Sequence, residues 1–236
     1  MIDVLFQDLS LSNIHNDLVR NIVSLRASEH LFDDLSDNES DWRTATALEL
    51  EAKPAAFTNH QTIINRPFEE AEWNNAIGYP FTHWQQSRYS DGSFGIWYGA
   101  DSVETTIHET VHHWRNGLLA DAGFLQPNVK IQRRVYNVRC DAALINLATQ
   151  LDQYPALVSP HDYSFCQQVG ARLHREGHPG LISVSARCSG KIFAILNANL
   201  LSNPRHHSYL TYTTTPDGIS VERTPGEILL TIPNPA

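Results

Sequence analysis

The spacing of apolar residues in the first quarter of the chain is that of an amphipathic helix. Apolar side chains recur there every three or four residues, at Ile14, Leu18, Ile22 and Leu25. A second stretch, from Asp41 to Ala52, ends shortly before Pro54, and proline disfavours helical backbone at the residue that precedes it. The pattern therefore predicts a mostly helical N-terminal portion over residues 1–64.

From about residue 65 onward, short apolar runs alternate with segments rich in glycine, proline and polar residues. The runs have the length and the β-branched and aromatic content of strands. Strands are predicted over Gly95–Ala100, Ile131–Val138, Gly180–Ala186, Lys191–Leu196, Ser208–Thr214, Ile219–Arg223 and Ile228–Ile232. Tyr79-Pro80 and the segment Ser87–Gly95 are predicted to be irregular.

Three helices are predicted among these strands. The first begins after Asp101, which has capping-box spacing to Glu104, and ends near residues 116–117. The second covers Ala142–Leu151. The third runs from Ser159 to Gly177, because Ser-Pro is a favourable helix start and glycine a favourable end.

The order of these elements predicts an α+β fold, with sheets flanked by helices. No internal repeat, low-complexity tract or linker divides the sequence. We therefore expect a single domain over residues 1–236, in which the helical portion 1–64 is followed by the core at 65–236.

Composition excludes several classes of function. The formal net charge is −9, whereas a nucleic-acid-binding protein needs clustered Lys and Arg. The sequence begins without a basic leader and contains no run of 18 apolar residues, which predicts a cytoplasmic protein without a membrane span. Cys140, Cys166 and Cys188 form no CxxC pair, so free thiols in a reducing cytosol are expected.

The sequence HETVH at 108–112 satisfies the HExxH signature of zinc peptidases. Its two histidines would share one face of a helix, with Glu109 as general base. The third ligand is the weak point, because Leu118 stands where a metzincin needs histidine and the nearby acids are Asp121 and Asp141. A zinc peptidase is kept as the alternative from another enzyme class. It would use His108, Glu109 and His112.

The opposite face of that helix is apolar. At 100° per residue its side chains fall within an arc of about 80°. They are Val103, Ile107, Val111, Trp114 and Leu118. The pattern predicts that this face packs in the core and leaves the HETVH face free for chemistry.

The same region carries a longer pattern. Arg88-Tyr89 is followed by a strand ending in Tyr98-Gly99-Ala100, and the helix that comes next carries Thr105-Thr106 and Glu109. Tyr98 follows Arg88 by ten positions, and Glu109 follows Tyr98 by eleven. This order and spacing resemble the RES-domain family, which is named for an Arg, a Glu and a Ser.

The second half of the sequence is similar to the same family. The strand from Gly180 ends in Ser185-Ala186-Arg187, which places the signature serine at Ser185. The stretches KIFAILN and HSYLTY resemble the closing strands of the family, and the N-terminal region resembles the leader of its longer members. The resemblance covers nearly the whole chain.

The resemblance implies a fold akin to that of ADP-ribosyltransferases and an activity on NAD⁺. It implies a toxin that cleaves the nicotinamide–ribose bond by phosphorolysis or hydrolysis, with a protein ADP-ribosyltransferase as the alternative. The implied partner is an Xre-type antitoxin that covers the active site. NAD⁺ would be a substrate, because no GxGxxG or Walker sequence indicates a tightly bound nucleotide. Inorganic phosphate is the co-substrate that phosphorolysis implies. No bound metal, direct nucleic-acid contact or membrane contact is expected, and a homodimer stays open.

Five residues acquire roles through the resemblance. Glu109 would stabilise the positive charge that develops on the ribose, and Arg88 would grip the diphosphate with its planar guanidinium. Ser185 would donate a hydrogen bond to nicotinamide or ribose, since no His–Asp pair marks it as a nucleophile. Tyr89 and Tyr98 would offer aromatic faces to the substrate, although both are equally compatible with core positions.

Overall fold

The computed structural model describes residues 2–7, 9–23, 72–118 and 128–234. Eight strands lie in these ranges: β1 Ser10–Val23, β2 Trp97–Ala100, β3 Lys130–Asn146, β4 Gly180–Val184, β5 Lys191–Ile195, β6 Leu201–Thr215, β7 Gly218–Thr224 and β8 Glu227–Pro233. Four α-helices accompany them: α1 Ile2–Leu5, α2 Tyr79–Thr82, α3 Val103–His113 and α4 Ser164–Arg175. The expected α+β class is confirmed.

The strands form one sheet in the order β1-β2-β5-β4-β3-β6-β7-β8, and β1 also pairs with β3. The pairings therefore close a ring of five strands, and β6, β7 and β8 extend it on the other edge of β3. β3 and β4 are parallel, and every other pair is antiparallel. The 17 residues of β3 connect the two parts, because its first portion pairs with β6 and its end with β4.

The two longer helices pack on different parts of this sheet. α4 places Val169 and Leu173 in a cluster with Leu181 of β4, and all three side chains are almost fully buried. α3 packs Ile107 and Val111 against residues of β6 and β7. The apolar stripe predicted for α3 is confirmed for its members with a described side chain. Within the described residues, no helix combines the length and hydrophobicity that a membrane crossing needs.

The predicted N-terminal helix is wrong where the structure describes it, since residues 10–23 form β1. Ile14, Leu18 and Ile22 are spaced by four, and four is also an even number, so they share one face of a strand as well. They meet in one core cluster, with Leu18 fully buried. Pairing with 14 residues of β3 stabilises the strand. Leu25 and the helix predicted at 41–52 lie outside the described residues.

Two further helix predictions need correction. Residues 142–146 continue β3, because they pair with the start of β1, and a 3₁₀ turn at Ala148–Gln150 follows. The helix predicted from Ser159 begins only at Ser164. The hydroxyl of Ser159 accepts a hydrogen bond from the Asp162 N–H at 3.2 Å and so caps a local turn instead.

The strand predictions are confirmed at all seven places. The bounds agree within a few residues except that β3 continues to Asn146 and β6 begins already at Leu201. Ser87–Gly95 contains no regular helix or strand, as expected. Tyr79-Pro80 differs from the prediction, because it begins the short helix α2 directly after a π-helical turn at Asn74–Gly78. The proline, which has no N–H, thus stands where the hydrogen-bonding pattern of the helix changes.

Candidate active site

The start of α3 is fixed by the residues around it. Ser102 caps the helix, and its Oγ accepts the Thr105 N–H at 3.1 Å. The cap predicted at Asp101 is wrong by one residue, because that carboxylate accepts the Lys191 N–H at 2.8 Å and the Thr105 hydroxyl at 2.7 Å. A Cβ on Gly190 would lie 1.9 Å from Thr105 Oγ1, so glycine permits this approach. The turn after β4 is thereby held against α3.

That turn carries Ser185 to Glu109. The turn is closed by a hydrogen bond from the Ser185 N–H to the Gly190 carbonyl at 2.8 Å. Ser185 is 4% exposed, and its hydroxyl donates to Glu109 Oε1 at 2.6 Å. The Arg187 N–H in turn donates to Ser185 Oγ at 2.9 Å, which leaves the serine proton to the carboxylate. Among the described residues, no donor contacts the second carboxylate oxygen, Oε2.

Arg88 is buried without an acidic partner among the described residues. Its Nη1 donates to the carbonyl oxygens of Leu157 and Ser159 at 3.3 and 3.0 Å. The centre of its guanidinium lies 4.7 Å from the ring centroid of Tyr163. Neutral acceptors and an aromatic face therefore position the cation while leaving its charge uncompensated.

The two tyrosines of the motif occupy different environments. Tyr98 accepts the Tyr89 N–H at 3.0 Å through its hydroxyl, which also contacts Ser87 Oγ at 2.9 Å. Burial raises the pKa of Tyr98 to about 12, so its phenol stays neutral. Tyr89 is fully buried, and a Cβ on Gly170 of α4 would lie 1.8 Å from its carbonyl oxygen. The position of Tyr89 favours packing over contact with a ligand.

Arg187 connects α3 with the segment that precedes α4. Its Nη2 lies 2.6 Å from both the Pro160 carbonyl oxygen and His112 Nε2, and 3.0 Å from the Tyr163 hydroxyl. Burial, followed by the charge of Arg187, lowers the pKa of His112 to about 4. Residues 157–163 thus contact both Arg88 and Arg187.

This contribution was missed in the sequence because residues 159–163 were predicted to be helical. The Ser185-Ala186-Arg187 element was the available signal for Arg187. Nothing in the sequence indicated that His112, one turn beyond Glu109, would contact it.

The geometry bears on the zinc alternative. His112 contacts Arg187 through Nε2 and Asn116 through Nδ1, and a cation at His112 would meet the positive charge of Arg187. Within the described residues, no group of three or more His, Cys, Asp or Glu is arranged to hold a metal. Asp141 lies on β3, where it contacts Arg139 of the same strand and His15 of β1, and Asp121 is outside the described residues.

The structure therefore brings Glu109 and Ser185 into direct contact, and Tyr163 and Arg187 link this pair to Arg88. Tyr98 contacts Ser87 and Tyr89, the neighbours of Arg88 in the sequence. The elements that carry these residues come from both halves of the sequence, and the hydrogen bond between Ser185 and Glu109 joins the two halves directly.

Comparison with known proteins identifies the family of the chain. The chain matches the family model of the RES domain over residues 64–215. No curated protein has a significantly similar sequence. The chain is similar to one in the crystal structure of the M. tuberculosis MbcT–MbcA toxin–antitoxin complex, with 12% identity, a TM-score of 0.48 and coverage of 90% of this chain and 92% of the other. Because the family model matches more than half of the sequence, the chain belongs to the RES-domain family.

Proposed function

We propose that this RES-domain chain is an enzyme that cleaves the nicotinamide–ribose bond of NAD⁺. The observation that carries the proposal is the 2.6 Å hydrogen bond between Ser185 Oγ and Glu109 Oε1, which leaves Oε2 without a protein partner among the described residues. A carboxylate held at one oxygen and open at the other is oriented toward a ligand. The membership in the family and the resemblance of its motifs support NAD⁺ as that ligand.

In the proposed reaction the bond between the ribose C1′ and the nicotinamide nitrogen breaks, and its electron pair leaves with nicotinamide. Positive charge develops on the ribose, and Glu109 stabilises it. One well-placed group of this kind contributes about 2.7–4 kcal/mol to lowering a barrier. An oxygen of water or phosphate then bonds to C1′, which gives ADP-ribose or its 1″-phosphate.

The remaining residues bind and orient the substrate. Ser185 holds the carboxylate by donating a hydrogen bond to it, which makes this serine a positioning group in the reaction. Arg88 supplies positive charge for the diphosphate, and its contacts with the carbonyls of Leu157 and Ser159 set its direction. Tyr98, neutral and partly buried, supplies an aromatic surface next to Arg88, whose neighbours Ser87 and Tyr89 it contacts. Tyr89 acts through packing in the core cluster against which Tyr98 lies.

The biological role proposed is that of a toxin. Loss of NAD⁺ would stop growth of the host, and an Xre-type antitoxin that covers the site near Arg88 would prevent it. The proposal includes a cytoplasmic location and a fold akin to that of ADP-ribosyltransferases. Transfer of ADP-ribose to a protein is the alternative within the same chemistry.

Incubation of the purified chain with NAD⁺, with and without phosphate, tests the proposal. If water is the acceptor, mass spectrometry should find free nicotinamide and ADP-ribose in both reactions. If phosphate is the acceptor, it should find free nicotinamide and ADP-ribose 1″-phosphate only in the reaction that contains phosphate. NAD⁺ that stays intact in both reactions after prolonged incubation with folded protein would contradict the proposed function. ADP-ribose attached to the protein would favour the transferase alternative.

A further inference from the structure

The guanidinium of Arg187 binds protein acceptors through one nitrogen, and its other two nitrogens have no partner among the described residues. Nη2 carries two hydrogens and has three acceptors around it, namely Pro160 O, His112 Nε2 and the Tyr163 hydroxyl. Nη1 has no hydrogen-bond partner within the described residues. Nε also lacks a partner there, but it is shielded from solvent. Nη1 is therefore the nitrogen that offers its hydrogens to a ligand.

The contact with Arg187 defines the state of His112. Guanidinium nitrogens only donate, so His112 Nε2 must be the acceptor and the ring hydrogen must lie on Nδ1. Asn116 Nδ2 lies 2.9 Å from Nδ1. Because two donors cannot face each other, the Asn116 amide takes the flipped orientation, in which its oxygen accepts this hydrogen. His112 is thus a neutral ring with a fixed tautomer, held between Asn116 on its own helix and Arg187.

The two arginines of the site share one support. The ring of Tyr163 stacks on Arg88, while its hydroxyl contacts Arg187 Nη2. Leu157, Ser159 and Pro160 offer backbone carbonyls to the same pair of cations. Glu109 is the carboxylate that the hydrogen bonds of the described residues connect to these arginines, because Ser185 donates to it and accepts the Arg187 N–H. Two cations against one carboxylate leave an excess of positive charge.

We propose that Arg187 is a second ligand for the diphosphate of the substrate and that His112 is the residue that positions it. The inference rests on the proposed function, because it names how the same site recognises a dinucleotide. Nη1 of Arg187, which has no protein partner among the described residues, is the donor that binds a phosphate oxygen, and Arg88 neutralises the other phosphate. Neutral His112 directs the guanidinium and leaves its charge intact. A carboxylate in the place of His112 would cancel that charge.

Binding of ADP-ribose and of adenosine, measured by calorimetry, tests this without requiring turnover. Arg187→Gln should weaken ADP-ribose binding by at least about tenfold, since it removes charge-assisted hydrogen bonds, and should leave adenosine binding unchanged. Arg187→Lys should also weaken ADP-ribose binding, because all three donors of an ammonium sit on one nitrogen and cannot occupy the separate positions of Nη1 and Nη2.

A pair of variants at His112 separates positioning from structure. Glutamine places an acceptor where Nε2 lies, so His112→Gln should retain ADP-ribose binding. Asparagine reaches only as far as Nδ1, so His112→Asn should weaken it. His108→Asn, one turn earlier on α3, is the matched control and should bind ADP-ribose as the parent does. Thermal unfolding of each variant identifies any that are not folded.

Each outcome decides the inference. Unchanged ADP-ribose binding in Arg187→Gln would overturn it, and so would equal binding by the two His112 variants. Binding that depends on Arg187 in a protein that leaves NAD⁺ intact would support this inference while contradicting the proposed function. Turnover of NAD⁺ by the parent, with a KM that Arg187→Gln leaves unchanged, would support the proposed function while contradicting this inference.

Discussion

The two faces of α3 differ in how they obtain their partners. One face carries Ile107, Val111 and Trp114, which are nearly fully buried against β6 and β7. The other carries Glu109 and His112, which contact single polar groups from the turn after β4. Apolar packing tolerates any neighbour of suitable shape, whereas the polar face depends on particular atoms at hydrogen-bond distance. The first face stabilises the fold, and the second makes the site.

The largest effect is expected on the apolar face. Val111→Asp would place an unpaired charge among Ile107, Trp114 and Tyr212, at a cost of more than about 4 kcal/mol. The variant should lose its cooperative urea transition, monitored by circular dichroism. His108→Asp adds the same charge on the partly exposed face and should stay within about 1 kcal/mol of the parent. Equal stability of the two variants would contradict the assignment of the faces.

A smaller effect is expected where the polar face meets the turn after β4. Ser185→Ala removes the hydrogen bond to Glu109 and the acceptor for the Arg187 N–H. The free energy of unfolding should fall by about 1 kcal/mol, and NAD⁺ turnover should fall by roughly tenfold because Glu109 is less well oriented. Ser189→Ala, exposed on the same turn, is the control for both measurements. Turnover as fast as that of the control would exclude a positioning role for Ser185.

The smallest effect concerns pH. The pKa of His112 is lowered to about 4 by burial and by neighbouring cations. The groups that lower it are Arg187, His113, His161 and Arg88. In the unfolded chain a histidine takes up a proton near its ordinary value of about 6.5. Stability due to His112 should therefore be complete above that value and should fall as the pH drops from about 6.5 towards about 4.

Thermal unfolding of His112→Gln checks this sign. Glutamine stays neutral, so the variant should lose fewer degrees of Tm than the parent between about pH 7.5 and about pH 5.5. Burial also lowers the pKa of His113, which remains in both proteins and acts in the same direction. Parallel Tm curves for parent and variant would show that His112 does not contribute to the pH dependence.

The same contrast explains how far the sequence could predict the structure. Periodicity identified the apolar stripe of α3 and the strands after residue 180, because an element that buries one face has apolar residues at a regular spacing. It failed for β1, since spacing by four fits a helix and one face of a strand alike. Pairing with β3, more than 100 residues away, decides between them.

The site shows the same division. The motif identified Arg88, Glu109 and Ser185, and the structure places the last two in contact. A helix was predicted to begin at Ser159, within the segment 157–163. The role of this segment in holding two arginines depends on backbone carbonyls, which carry no sequence signal. The sequence pattern around Arg187 and His112 would be the same if both side chains were exposed on the surface, so it does not indicate their contact.

The most direct test of the account is the rate of nicotinamide release by Glu109→Gln. Glutamine keeps an acceptor for the Ser185 hydroxyl but removes the negative charge, and Glu104→Gln makes the same change at an exposed position of α3. We expect Glu109→Gln to stay within about 0.5 kcal/mol of the parent in stability while releasing nicotinamide roughly 10²-fold more slowly, and Glu104→Gln to match the parent. Parental release by folded Glu109→Gln would contradict the claim that this carboxylate drives the reaction.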